Sequence, residues 1–208
     1  MALLISFITG YLLGSLPTAY LLLKKRNGID ITKTGSGNVG ALNSFEISKS
    51  KTVGLTVLVI DLLKGFLSVM IVRLFISDLF MHQMISLCAA VLAHSFSPWI
   101  GFKGGRGLAA AAGGALALSI PILIIWAALW SLTMLIKRNV HVANFSATLL
   151  TILCSIALPS QMNNFTFPHA QNNFEFAFLV SLMLIIILTK HIDPMTKLIR
   201  ESMKIPRS

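Results

Sequence analysis

Phe102-Lys103-Gly104-Gly105-Arg106-Gly107 holds three glycines and two permanent cations in six residues, with apolar sequence on both sides. Glycines let successive backbone N–H groups turn toward one point, and Lys103 and Arg106 add charge, so the stretch suits an anion such as phosphate. Helix-like sequence starts at Leu108, which predicts a helix N-terminus, itself an anion site, directly after the turn. A second reading fits the same six residues: a basic loop that only sets membrane topology. They do not form a Walker motif, because the glycines are too closely spaced and no Ser or Thr follows the basic residue.

Other residues offer chemistry at a distance from this turn. Gly35-Ser36-Gly37-Asn38-Val39-Gly40-Ala41-Leu42-Asn43 combines glycines suited to a tight backbone with neutral hydrogen-bonding groups at Ser36, Asn38 and Asn43. It reads either as a ligand loop or as an ordinary polar loop. His94 precedes Ser95-Phe96-Ser97-Pro98 at a Pro-broken helix end; it is a candidate acid/base group or phosphate ligand, or a structural interfacial histidine. Asp61 and Lys64 lie three apart within an apolar run, so they share a helix face, as a helix-locking ion pair or as part of a site. His141, Asn144 and His191 stand near the ends of later apolar runs.

The elements that must position these groups are membrane helices. The chain has 208 residues, 55% hydrophobic and only 12% charged, with mean hydropathy +0.81. Soluble domains are nearer one quarter charged, so the composition indicates an all-α integral membrane protein formed by residues 1–208 as a single domain. The spans predicted are Ala2–Leu23, Thr52–Ile76, Met84–Ile100, Val140–Leu158 and Glu175–Thr189. To these is added a partial hairpin of Leu108–Leu118 and Pro121–Ile136, giving seven helical passes. Gly10, Gly14 and Pro17 predict close packing and a bend in the first span, and the glycines at 113 and 114 predict close packing in the hairpin. Met1–Leu23 lacks a basic n-region and reads as a span rather than a cleaved signal.

Charge sets the orientation. Of 17 Lys and Arg, all but Lys64 and Arg73 fall in the first loop, the Gly-rich turn, positions 137–138 and the C-terminal tail. The positive-inside rule makes that face cytoplasmic, with the N-terminus out and the C-terminus in. The net charge of +10 therefore reflects topology and anionic headgroups rather than nucleic acid, whose binding would want aromatics among the cations. Cys88 and Cys154 lie in apolar runs as packing residues. No His or Cys spacing suits a metal, no carboxylate cluster suits a proton-coupled transporter core, and no Gly-x-Ser-x-Gly elbow suits a serine hydrolase. A membrane enzyme that joins an acyl group to a phosphorylated alcohol fits these constraints without being singled out by them.

Five stretches resemble, in order, the bacterial acyl-phosphate:glycerol-3-phosphate acyltransferases. Residues 35–43 resemble the first motif of that family, and 94–98 through 102–107 its second. Gly14-Ser15-Leu16-Pro17-Thr18-Ala19-Tyr20, Asp61-Leu62-Leu63-Lys64-Gly65 and Lys190-His191 resemble the end of its first helix, a pattern in its second and its C-terminal motif. The resemblance implies seven transmembrane helices in the bacterial inner (plasma) membrane and an active site facing the cytoplasm. It implies transfer of a fatty acyl group from acyl phosphate to the 1-position of glycerol 3-phosphate. The products would be lysophosphatidic acid, for phospholipid synthesis, and phosphate, with no metal or other cofactor. Carried over residue by residue, it assigns catalysis to Ser36, Asn38, His94 and His191. Substrate and phosphate binding fall to Gly37, Asn43, Lys103, Gly104, Gly105, Arg106 and Gly107. His141 and Asn144 stand where the third motif usually has two serines. Leu42, Glu46 and Pro194 replace a Thr, an Arg and an Asn, so a different polar acceptor, or a protein that binds lipid phosphate without turnover, stays open as an alternative.

Overall fold

The structure, a computed structural model, describes residues 1–204. Among them it has ten α-helices and no strand. They are α1 (Ala2–Ser15), α2 (Thr18–Asn27), α3 (Ala41–Ser48), α4 (Lys51–Phe75), α5 (Phe80–Ser95), α6 (Leu108–Leu118), α7 (Ile120–Lys137), α8 (Val140–Ala157), α9 (Pro159–Asn163) and α10 (Asn173–Lys204). Five segments are long and apolar enough to cross a membrane: 2–27, 51–75, 120–137, 140–157 and 173–203. α5 and α6 are shorter apolar helices between them. The chain is a multi-pass helical membrane protein.

Small residues set the helix spacing. In a bilayer, helices associate through backbone approach and internal hydrogen bonds, because lipid removes the hydrophobic drive. Gly10 and Gly14 of α1 lie directly on the Ser86 and Ala90 carbonyls of α5, where a Cβ would overlap backbone. Gly65 of α4 meets the Ala110 carbonyl of α6, and Gly113 of α6 meets that of Leu62. The close packing read from 10, 14, 113 and 114 is present, with Gly114 against the Leu87 side chain.

Buried polar contacts then fix the relative depth of α4, α5 and α6. Ser86 Oγ donates to Ser68 O at 2.9 Å, and His94 Nδ1 lies 3.7 Å from Asp61 Oδ1, so α4 and α5 run antiparallel in register. α5 therefore ends level with Asp61, about 15 Å along α4 from its first residue at 1.5 Å per residue. α6 starts near the same level, beside Gly65, and runs to the opposite end. There Leu118 O accepts from Phe167 N at 2.7 Å, and Thr166 Oγ1 donates to Ser119 Oγ at 2.8 Å. The short first leg of the hairpin thus reflects a sunken start. Its tip joins the 159–172 segment.

Several boundaries differ from those read in the sequence. The helix expected over Met84–Ile100 is α5, Phe80–Ser95; it begins earlier because Phe80 stacks on Phe176 in the core at 6.0 Å between centroids. The polar loop between the first two long spans contains α3. α10 runs through Pro194 to Lys204 where a tail was expected. Proline there removes the helical N–H partner of the Lys190 carbonyl. Both residues line an open cavity.

Candidate functional site

At the basic end of the bundle lies an open cavity of about 760 Å³. One wall is the 36–38 loop, the second is 102–106, and α10 from Thr189 to Glu201 forms the third, with His141 at the start of α8. The floor is sunk because α5 and α6 stop short of this end.

The first loop is built by its own side chains. Asp30 caps a 3₁₀ turn at Ile31–Lys33, its carboxylate accepting from Thr32 N at 3.0 Å and Thr32 Oγ1 at 2.7 Å. That hydrogen bonding holds the Asp30 carboxyl below its ordinary range. Gly35 and Gly37 take φ of 62° and 72°, the left-handed region that glycine occupies without penalty. Asn43, 2% exposed, sits beneath them. Its Oδ1 accepts from Ser36 N at 3.1 Å, and its Nδ2 donates to Thr34 O at 3.2 Å and Asn38 O at 2.9 Å. Asn43 shapes the loop and does not line the cavity. Ser36, Gly37 and Asn38 do.

The second wall is tied to the first. Val39 N donates to Gly104 O at 3.2 Å, so the two motifs form one backbone unit. Ser97 holds the base of the turn: its N donates to Lys103 O at 2.9 Å, and its Oγ donates to Ser15 O at 2.6 Å. Lys103 is exposed, and with Gly104 and Arg106 it faces the cavity. Gly105 and Gly107 face inward. A Cβ on Gly105 would overlap His94 Nε2, and Gly107, with φ of 82°, packs on Val91, Ser95 and Ile187. α6 begins at Leu108, as the sequence predicted.

Arg106 is the half-buried charge of the site. Its Nη1 lies 3.2 Å from His141 Nδ1. An arginine can only donate, so His141 accepts there and any neutral-ring proton sits on Nε2. Burial pushes the Arg106 guanidinium down from its ordinary value, and the Glu46 carboxylate opposes that shift. A poorly hydrated cation of this kind gains most from an incoming anion. Lys190 lies over the Phe96 ring at 4.6 Å from its centroid, on the facing wall.

Three of the residues picked out by sequence stand behind the cavity. His94 is 8% exposed and underlies Gly105. His191 is fully buried. Its Nδ1 donates to Ile187 O at 2.9 Å, which leaves Nε2 as an acceptor with no partner among the described residues. Asn144 accepts from Trp130 Nε1 at 2.6 Å and ties α7 to α8.

Residues 4–201 match the family model described as glycerol-3-phosphate acyltransferase. The chain belongs to the glycerol-3-phosphate acyltransferase family. A relative of that name from Ehrlichia canis (strain Jake) is 32% identical over 197 residues, covering 93% of each chain. One from Wolbachia sp. subsp. Brugia malayi (strain TRS) is 34% identical over 151 residues, 73% of this chain and 78% of that one. Among solved structures, the glycerol 3-phosphate form of PlsY (YgiH), an integral membrane glycerol 3-phosphate acyltransferase, superimposes with a TM-score of 0.78. It shares 28% identity, over 97% of this chain and 94% of that one. The form of the same protein with lysophosphatidic acid gives a TM-score of 0.77.

Within this acyltransferase fold, sequence reading missed the α10 wall: Asp193, Lys197 and Glu201 line the cavity. They recur at four-residue intervals, so one helix face carries all three. That signal was present, but Pro194 concealed it.

Proposed function

We propose that this cavity transfers a fatty acyl group from acyl phosphate to the 1-hydroxyl of glycerol 3-phosphate. The reading rests on one observation above the rest: Val39 N–H bonded to Gly104 O. It makes the Ser36–Asn38 loop and the Lys103–Arg106 turn two walls of one cavity that presents cations to an anionic ligand. Acyl phosphate is a mixed anhydride and already reactive, so alignment and charge stabilisation are the main requirements. The alcohol oxygen bonds to the acyl carbon, the carbon–oxygen bond to phosphate breaks, and the leaving phosphate takes the alcohol proton. Lys103, Arg106 and the 104–107 backbone hold phosphate. Ser36, Gly37 and Asn38 offer hydrogen bonds to the acceptor, and Asn43 holds their loop in shape. Gly105 and Gly107 give the turn its inward packing. His94 supports the turn from below, and the unpartnered His191 Nε2 is an acceptor behind Arg106. His141 orients Arg106, while Asn144 supports α8. No metal or cofactor enters this chemistry. An apolar cleft of about 110 Å³ lined by Leu108, Ala111, Trp126 and Ile187 adjoins the turn and suits the first carbons of an acyl chain.

The same reading gives α1–α2, α4, α5, α6, α7, α8 and α10 as seven passes in the bacterial inner membrane. The N-terminus lies outside, with the cavity and C-terminus cytoplasmic. The clustering of cations at the cavity end supports this orientation. Impermeant labelling of a cysteine at Ser208 in intact cells tests it, and labelling from outside would reverse it.

Purified protein supplied with acyl phosphate and glycerol 3-phosphate is expected to release phosphate and form lysophosphatidic acid. No product, under conditions where a relative turns over, would sink the assignment. Glu46 favours one second reading. Its charge acts on both Arg106 and His141, which suits an acceptor less anionic than glycerol 3-phosphate. An acceptor screen at fixed acyl phosphate decides between the two.

A further inference from the structure

Asp61, Lys64 and His94 form a buried cluster that the proposed chemistry does not use directly. None of them lines the polar cavity. Asp61 is 3% exposed and Lys64 5%, both within α4. Lys64 Nζ donates to Asp61 Oδ1 at 2.7 Å and to Leu16 O at 2.6 Å. Leu16 is the residue at which α1 ends before Pro17, so its carbonyl lacks a donor from a continuing helix; it accepts instead from Thr18 N at 3.0 Å and from Lys64 Nζ. On its other side Asp61 Oδ1 lies 3.7 Å from His94 Nδ1. His94 O accepts from Gly105 N at 3.1 Å, and its ring lies under Gly105 with no room for a methyl group.

The cluster therefore runs as a link from the break in the first membrane span to the middle of the phosphate turn, through the Lys64 hydrogen bonds, the 3.7 Å approach of Asp61 to His94 and the His94 contacts with Gly105. A second strand of the link runs beside it, from Ser15 O through Ser97 Oγ to the base of the turn at Lys103 O. Consecutive carbonyls at the α1 break thus anchor the base and the middle of the Gly-rich turn. A buried ion pair inside a membrane is costly. It can often be replaced by uncharged groups without loss of stability, which argues that helix locking alone is a weak reason for one. A turn made of glycines has little stiffness of its own and needs an external template to hold its N–H groups on one point.

We infer that Asp61 and Lys64 are positioning residues that hold the Gly-rich turn in its phosphate-binding geometry through His94. The inference rests on the proposed acyl transfer, and the parent protein's turnover tests that reading separately. If the parent forms no lysophosphatidic acid, the functional reading fails and not the link. The decisive variant is the double replacement Asp61→Asn/Lys64→Met in the full chain, purified in detergent. It removes both charges together and keeps side-chain volume. Thermal melting and size-exclusion profile report whether it folds like the parent. The link predicts a folded double variant with kcat reduced about 30- to 100-fold, the cost expected of misplacing a reacting group by about an ångström. It also predicts an inhibition constant for inorganic phosphate raised at least roughly tenfold, since the turn itself is displaced. A folded double variant with parental kcat and phosphate inhibition would overturn the inference and leave the pair as a helix lock. If the double variant aggregates, His94→Leu breaks the link while the ion pair stays intact. Loss of phosphate inhibition in His94→Leu supports the link, and parental inhibition overturns it.

Discussion

Two arginines mark opposite ends of the bundle and are treated in opposite ways. Arg73, near the end of α4, donates to Gln83 Oε1 at 3.1 Å, Ala117 O at 2.7 Å and Phe167 O at 2.6 Å, and it packs over the Phe167 ring. One side chain thereby joins α4, α5, the hairpin tip and the far loop. Arg106 has a single protein partner in the described residues, His141, and shares an open cavity with Lys103, Lys190 and Lys197. Satisfied donors hold a fold together; donors left facing a cavity await a ligand. The pair teaches that charge in a membrane protein is diagnostic only together with its partners.

Mutation can break or sharpen this contrast. The largest effect is expected from Arg106→Ala, which should lower kcat/KM by about 10²- to 10³-fold, as loss of a charge-stabilising donor does. Melting in detergent should barely move, because little packing depends on that side chain. Steady-state kinetics beside a melting curve measure both. Arg73→Ala should do the reverse. Loss of hydrogen bonds from a charged group, at about 1.5–3 kcal/mol each before relaxation, should lower stability by roughly 2–4 kcal/mol. Turnover of the remaining folded protein should stay within about threefold of the parent, since no principle of site chemistry reaches that end. If Arg73→Ala abolished turnover with unchanged melting, the two ends would not differ as described.

Glu46→Gln probes the site end more finely. The carboxylate is exposed, so its effect on Arg106 is screened. Removing it should tighten glycerol 3-phosphate binding about three- to tenfold at low salt, with the gain shrinking at high salt. KM measured at two ionic strengths checks this. Asn139 accepts from His141 N at 2.9 Å and Val142 N at 3.2 Å at the start of α8. Asn139→Ala should therefore cost about 1 kcal/mol of stability and slightly loosen the partner of Arg106. The smallest effect concerns Asp30, whose lowered carboxyl pKa follows from its hydrogen bonds to Thr32. Its contribution is whole above the unfolded-state value and is lost as pH falls through the lowered folded value. Acid melts of Asp30→Asn and the parent should converge only in that range.

Local rules made much of the molecule legible. Apolar run length marked the membrane helices, because each must satisfy its own backbone in lipid. Glycine marked the tight backbone at 35, 37 and 107, where φ is positive. Cation placement singled out the end with the cavity. The start of α6 at Leu108 followed from the Gly-rich turn before it. The order of the motifs along the chain marks the acyltransferase family. Local rules failed where a distant partner decides. Pro194 signals a helix end, yet α10 continues through it along the wall of an open cavity. Asn38 and Asn43 look alike in sequence, but one faces the cavity and the other fills the space beneath two glycines.

The sequence by itself determined which segments enter the membrane, which end gathers positive charge and which turns can approach an anion. These depend on residue type and spacing along one stretch of chain. Only the tertiary structure decided which polar groups face the cavity. That depends on how far each helix is rotated and sunk against its neighbours, through contacts such as Gly14 on Ala90 and Gly65 on Ala110. The tertiary packing separates His94, beneath the turn, from Arg106, within the cavity, and it brings Asp61 and Lys64 between Leu16 and that turn.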